Sequence, residues 1–235
     1  MCGRYTESKR TADVKARIAF DQAQLELVPR FNIAPTQQAP VVVVNDGEVV
    51  LNPMRWGLIP FWAKDESIGN RMINARAETV NEKPAFRSLF KRRRGLVVAD
   101  SLYEWQRLPN SKLKQPMRIL LEDEGALAFA GLWDSWKQPD GSELESFTII
   151  TGQPNEVVAP IHDRMAVILP KEHHAQWLDP EFQDTGALAQ LLVPYRADEM
   201  KAYPVSTLVN SPKFEDARCI EPLPVAEPGD LFARS

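Results

Sequence analysis

The chain has 235 residues, of which 44% are hydrophobic, 26% charged and 9% aromatic, with two cysteines, eleven glycines and nineteen prolines. That balance excludes a disordered segment, a collagen-like repeat and a disulfide-braced secreted scaffold, and it suits one large domain or two small ones with a proper core. Lys and Arg number 28 against 32 Asp and Glu, a formal net charge of −4, so any nucleic-acid function has to rest on a local basic site and not on bulk charge.

The first residues, MCGRYTESKR, contain no apolar stretch of the signal-peptide kind, and no apolar run approaches the ~18 residues that span a bilayer. A soluble, cytoplasmic protein without a membrane partner is expected. Thr11–Phe20 is predicted to be helical, opened by a capping-type Thr and carrying Val14 and Ile18 at helical spacing. Residues 40–55 read as a β-hairpin, two β-branched runs turning at Asn45-Asp46-Gly47. Pro84–Arg94 is a second expected helix, with Phe86, Leu89 and Phe90 on one face and Pro84 in its first turn. Its basic end, Lys91 to Arg94, complements the helix dipole, and Gly95 reads as the cap.

Strands are expected at Gly95–Ala99, Ser101–Gln106, Met117–Leu121, Ala126–Leu132, Ser146–Thr151 and Arg164–Leu169. Lys171–Leu178 and Ala187–Leu192 complete the helices, the first with His173 and His174 on a solvated face. There are no repeats, and a tail over 226–235 follows a domain over 1–225. Frequent proline keeps the helices short. The predicted fold class is α+β: one domain with a strongly bent mixed or antiparallel sheet, or a barrel-like core, and short peripheral helices.

Four places carry residues suited to chemistry. Cys2 follows the initiator Met1, and loss of that Met leaves an α-amine and a thiol on adjacent carbons. With ordinary pKa values of about 7.7–8.0 and about 8.5, part of each is free near neutral pH. Such a 1,2-aminothiol closes on an aldehyde to a thiazolidine, or acts as an N-terminal nucleophile on a carbonyl. An incidental cysteine is the competing interpretation.

On a strand, Asn74, Arg76 and Glu78 share a face by the period of two; an exposed, ion-paired edge accounts for them equally well. Glu104 lies between Tyr103 and Trp105, whose rings desolvate a carboxyl group and raise its pKa toward that of a useful acid or base. The alternative is an ordinary Glu at a strand end. His162 precedes an apolar run and is the one histidine of three outside a helix-like segment; it is expected to titrate near ~6.5. No His and Cys pair has metal-ligand spacing, so neither a metal nor another cofactor is implied. Trp56, Phe61 and Trp62 flank a proline-broken loop, as core residues or as stacking platforms for bases.

Six motifs, MCGR (1–4), FNIAPT (31–36), RWGLIPFW (55–62), INARAET (73–79), YEW (103–105) and IHDRM (161–165), together resemble the SOS response-associated peptidase (SRAP) family. They occur in that family's order over roughly residues 2–225. The resemblance implies recognition of abasic sites in single-stranded DNA, self-removal of Met1, and a thiazolidine cross-link from Cys2 to the ring-opened sugar. It implies that Asn74 orients the reactants, that Glu104 is the acid/base carboxylate, and that His162 protonates the ring oxygen. Arg4, Arg76 and Arg164 match phosphate-contacting positions, and Asn32, Pro35, Trp62 and Trp105 lie in channel-lining motifs. The chain departs from the family at Pro84, where a basic residue is expected; Lys83 stands next to it. A monomer acting on single-stranded DNA is expected. Two other classes fit parts of the pattern. One is an N-terminal-cysteine amidotransferase, which glutaminase activity identifies; the other is a non-covalent single-strand-binding module, which leaves no conjugate on a denaturing gel.

Overall fold

The computed structural model describes residues 2–109 and 111–224. Met1 and the tail expected at 226–235 lie outside the described residues. In chain order the strands are β1 (Tyr5–Glu7), β2 (Gln22–Ala23), β3 (Arg30–Ile33), β4 (Gln38–Asn45), β5 (Glu48–Trp56), β6 (Asn74–Arg76) and β7 (Arg94–Ala99). They continue as β8 (Ser101–Arg107), β9 (Lys114–Leu121), β10 (Leu127–Lys137), β11 (Glu143–Gly152), β12 (Met165–Ala166) and β13 (Met200–Pro204). The α-helices are α1 (Thr11–Arg17), α2 (Arg87–Arg92), α3 (His174–Leu178) and α4 (Thr185–Gln190).

Five strands close into a barrel. β4 pairs with β5 and β7, β10 with β7 and β11, and a short parallel pairing of β11 with β5 at Ser146↔Arg55 and Phe147↔Trp56 completes the ring. A second sheet, ordered β13-β9-β8-β1-β3, packs against it. The α+β expectation with a barrel-like core and short helices holds.

The hairpin forms as predicted. Asn45 faces Glu48 across a turn in which Asp46 has φ 49° and Gly47 φ 84°, the pair of positive values that an Asp-Gly turn accommodates. Both faces of the barrel strands are buried. One core gathers Val41, Val97, Phe129, Phe147 and Ile149 with Cys2, Tyr5 and Leu102. The alternate residues Val42, Leu96, Val98, Ala130 and Ile150 meet Val14, Phe90, Trp177 and Leu188 from the four helices. Continuous apolar runs such as 41–44 follow from this two-sided burial.

Three expectations change. The strand expected at Arg164–Leu169 is reduced to Met165–Ala166, because the chain leaves β11 (Val167 N–H to Ile150 O, 2.9 Å) for β10 (Leu169 N–H to Ala128 O, 2.9 Å). Gly95 does not cap a helix: it lies in β7, where a Cβ would meet Val41 Cγ1 at 2.9 Å, so the close approach of β4 requires glycine. His174 is half-buried, with Nε2 2.9 Å from Leu169 O, and does not lie on a solvated face.

Arg94 turns inward as well. It is 2% exposed and donates to the carbonyls of Trp177 (2.6 Å), Phe90 (2.9 Å), Phe182 (3.0 Å) and Asp179. It thereby ties the loop after α3 to β7. Replacing it with methionine keeps much of the stem but strands these acceptors, and a loss of about 3–5 kcal/mol is expected. Urea unfolding measures it; a loss under about 1 kcal/mol would mean that water satisfies the carbonyls.

Candidate functional site

Cys2 leads directly into β1, which lies between β8 and β3. β1 and β8 are antiparallel, with Tyr5 opposite Leu102 and Thr6 opposite Ser101. Tyr103 N–H donates to Arg4 O at 3.0 Å, so the register continues and sets Glu104 level with the residues just before β1. A polar clamp holds that alignment. The Asp100 carboxylate accepts from Ser8 N–H at 3.0 Å and from the hydroxyls of Ser8 and Thr6. Arg118 Nε donates to Ser101 Oγ at 2.8 Å. From the barrel side, β6 runs parallel to β11, and Asn74 at its start donates Nδ2–H to Cys2 O at 2.8 Å. Asn74 Oδ1 is buried with no hydrogen-bond partner among the described residues.

His162 reaches the same place from a turn closed by its own N–H on Val158 O at 2.9 Å. Its Nδ1 accepts from Arg164 N–H at 3.0 Å and lies 2.9 Å from Asp163 Oδ1. Nε2 lies 3.9 Å from Glu104 Oε2. The structure therefore gathers Cys2, Asn74, Glu104 and His162, which are far apart in sequence.

Their environments set the chemistry. Cys2 is fully buried, and burial together with the neighbouring Glu104 carboxylate pushes its thiol well above the ordinary range. The partly ionised thiol expected from reference values is thus replaced by a protonated one that needs a base before it attacks. Burial pushes Glu104 up to about 7, where a carboxylate is both available and basic enough to take a proton near neutral pH. Burial lowers His162 below its ordinary value, so it does not keep the unperturbed titration near ~6.5 that the sequence leads one to expect.

The residues matched to DNA contacts fall into two groups. Arg76 is exposed and has no ion pair among the described residues. Trp62 is 53% exposed on a loop held by Phe61 N–H on Asp134 Oδ2 (2.9 Å). Trp105 is half-buried, and its indole N–H donates to Asn210 Oδ1 at 2.7 Å. Pro35 is half-buried in a turn whose next residue, Thr36, has φ 76°; a β-branched residue there is strained.

The others already have partners in the protein. Asn32 is fully buried, and its Nδ2 donates to Ser211 O (2.9 Å) and Phe214 O (2.7 Å), while its Oδ1 accepts from Arg4 Nη1 (2.8 Å). Arg164 grips Glu78 with both terminal nitrogens, at 2.5 and 2.8 Å, and donates to Thr151 O at 2.5 Å. Glu78 is no longer on the strand of Asn74 and Arg76, because β6 gives way to a 3-10 turn at Ala77–Thr79. Trp56 is fully buried and stacked on Phe147 at 6.3 Å between ring centroids, so it belongs to the core.

Sequence reasoning passed over Arg107 and Lys114, which line a cleft next to His162. The signal was present as a cation at each end of a hairpin connection, with Trp105 two residues away.

A family model described as SOS response associated peptidase (SRAP) matches residues 1–212. The abasic site processing protein YoqW of Bacillus subtilis is 49% identical over 224 residues, 94% of this chain and 99% of that protein. The abasic site processing protein HMCES of Rattus norvegicus is 30% identical over 231 residues, 83% of this chain and 65% of that protein. A crystal structure of a protein from Bacteroides thetaiotaomicron superposes with a TM-score of 0.84 at 28% identity, covering 94% of this chain and all of the other.

Proposed function

The chain belongs to the SOS response-associated peptidase family, and we propose that it recognises abasic sites in single-stranded DNA and links to them covalently through Cys2. The observation that carries this reading is the placement of Asn74, Glu104 and His162 around one buried cysteine next to the amino terminus. The names of YoqW and HMCES, both abasic site processing proteins, support the substrate.

The first step is hydrolysis of the Met1–Cys2 peptide bond. Glu104 takes the thiol proton, the sulfur attacks the Met1 carbonyl, and water releases methionine, leaving Cys2 with a free α-amine. The abasic sugar opens when its anomeric hydroxyl gives its proton to the Glu104 carboxylate and the ring oxygen takes one from the imidazolium form of His162. The amine adds to the aldehyde carbon, water departs, and an iminium forms. The thiol then adds to that carbon, returns its proton through Glu104, and closes the thiazolidine. Asn74 Oδ1, buried without a partner among the described residues, accepts the N–H of the new linkage.

Arg4, Arg76 and Arg164 hold phosphates, Arg164 by sharing its guanidinium with Glu78. Pro35, Trp62 and Trp105 line the strand's path. Asn32 acts through Arg4, whose Nη1 it orients. The protein acts as a cytoplasmic, nucleoid-associated monomer in the response to DNA damage; among the described residues no helix is long and apolar enough to cross a membrane.

Intact-mass analysis after incubation with an abasic single-stranded oligonucleotide tests the reading. The expected product has the mass of the protein without Met1 plus the oligonucleotide minus one water. Binding with no covalent product would leave the single-strand-binding alternative, and retention of Met1 would remove the amine that the mechanism needs.

A further inference from the structure

We propose that the cleft between the β8–β9 hairpin and residues 159–163 binds the nucleotide flanking the lesion, with its base against Trp105 and its phosphate between Arg107 and Lys114. The inference rests on the abasic-DNA reading above and extends it to a named subsite. The cleft has a volume of about 400 Å³ and is lined by Trp105, Arg107, Lys114, Pro160, His162 and Asp163 among others. A volume of this order suits a nucleotide-sized ligand. Because His162 forms part of the wall, an occupant sits directly against the reacting centre.

Arg107 and Lys114 are direct partners in the β8–β9 register. Both are exposed, and neither has an ion pair among the described residues. Like charges directly opposite one another on a hairpin destabilise it. A phosphate between them removes that repulsion and accepts charge-assisted hydrogen bonds from both. Asp163 is the one acid of the lining, its side chain 88% exposed and its Oδ1 2.9 Å from His162 Nδ1. Its charge repels a phosphate from the His162 end and leaves the hairpin end to the anion.

The walls are held in place. The Trp105 indole is fixed by Asn210 Oδ1 at 2.7 Å, which lowers the entropy lost when a base stacks on it. Gln106 Nε2 donates to Pro160 O at 3.3 Å, bridging the hairpin to the opposite wall.

The test is a salt titration of binding to single-stranded DNA carrying a tetrahydrofuran abasic analogue, which cannot form the cross-link. The Arg107→Ala/Lys114→Ala double variant is expected to bind more weakly, with the slope of log K against log salt smaller in magnitude by about 0.7, the value for one phosphate on a single strand. The Lys91→Ala/Arg92→Ala variant removes the same charge from α2 and is expected to keep the wild-type slope. An unchanged slope in the hairpin variant, or an equal loss in the α2 variant, overturns the subsite. Two further oligonucleotides place the analogue at the 5′ or the 3′ end. With the one that lacks the flanking nucleotide, wild type and hairpin variant should bind alike, and a difference persisting with both overturns the assignment to that nucleotide. Failure of wild type to form a conjugate with natural abasic DNA counts against the covalent reading instead, and leaves the salt titration readable.

Discussion

Replacing Cys2 with alanine is expected to abolish the heat-stable conjugate while leaving a conjugate that borohydride traps. The variant lacks the sulfur that removes Met1, so it is prepared with the alanine at position 2 already exposed, by an added methionine aminopeptidase; it then keeps the α-amine and loses only the sulfur. An imine with the abasic aldehyde still forms, because that step needs a free amine alone. Without sulfur it has no route to the thiazolidine, so it hydrolyses or undergoes β-elimination with strand cleavage. Wild type should show the reverse pattern, a conjugate that survives denaturation without reductant. Denaturing electrophoresis of both proteins with and without borohydride decides the matter. An equally stable conjugate from Cys2→Ala without reductant would assign the link to another nucleophile. Cys2 is fully buried and part of the main core, so a thermal melt of the variant accompanies the assay and reports whether the site is folded.

The Glu104→Gln variant carries the second large effect. In the proposed mechanism Glu104, a carboxyl group held at about 7 next to a protonated thiol, is the base for thiol attack. Removing a general base costs about 100- to 10,000-fold in rate. Wild-type conjugate formation should rise with pH through about 7 and then level, as the carboxylate form fills. The variant should be slow and lose that inflection. A variant within threefold of wild type across pH 5.5–8.5 would place the base elsewhere.

Stability supplies an independent readout. Glu104 holds its proton to about pH 7 in the fold, whereas a carboxyl in the unfolded chain releases it near 4.3. The fold therefore binds the proton more tightly, and the stability this gives at low pH is lost as pH rises through about 7. Glutamine never ionises. The melting temperature of the variant should exceed that of wild type by a margin that widens between pH 5 and pH 8. A constant margin would show that Glu104 titrates normally.

Much of the sheet was legible before any coordinates, because its signals are local. The Asn45-Asp46-Gly47 turn and the runs at 95–99, 101–106 and 146–151 name their own conformation. Helix ends and short strands were less legible. Arg94 reads locally as a cation at a helix terminus, yet four carbonyls from the chain around α2 and α3 draw it into the interior. Asn74, Arg76 and Glu78 read as one face of a strand, but the chain turns after Arg76 and carries Glu78 to Arg164.

By itself the sequence determined the reactive groups of the site: a thiol next to an amino terminus, an amide, a carboxyl between aromatics, and a single histidine in a turn. It also determined the continuous apolar runs that the barrel strands bury on both faces and the turn that joins two of them, since side-chain polarity and turn chemistry act over a few residues. Only the tertiary structure decided which of these groups meet and in what state. The β1–β8 register brings Glu104 opposite Gly3, next to Cys2, burial keeps the thiol protonated and lifts the carboxyl to about 7, and Glu78 neutralises Arg164. Desolvation and ion pairing depend on what lies across a strand pair or a core. Those neighbours are tens of residues away along the chain, where no local pattern records them.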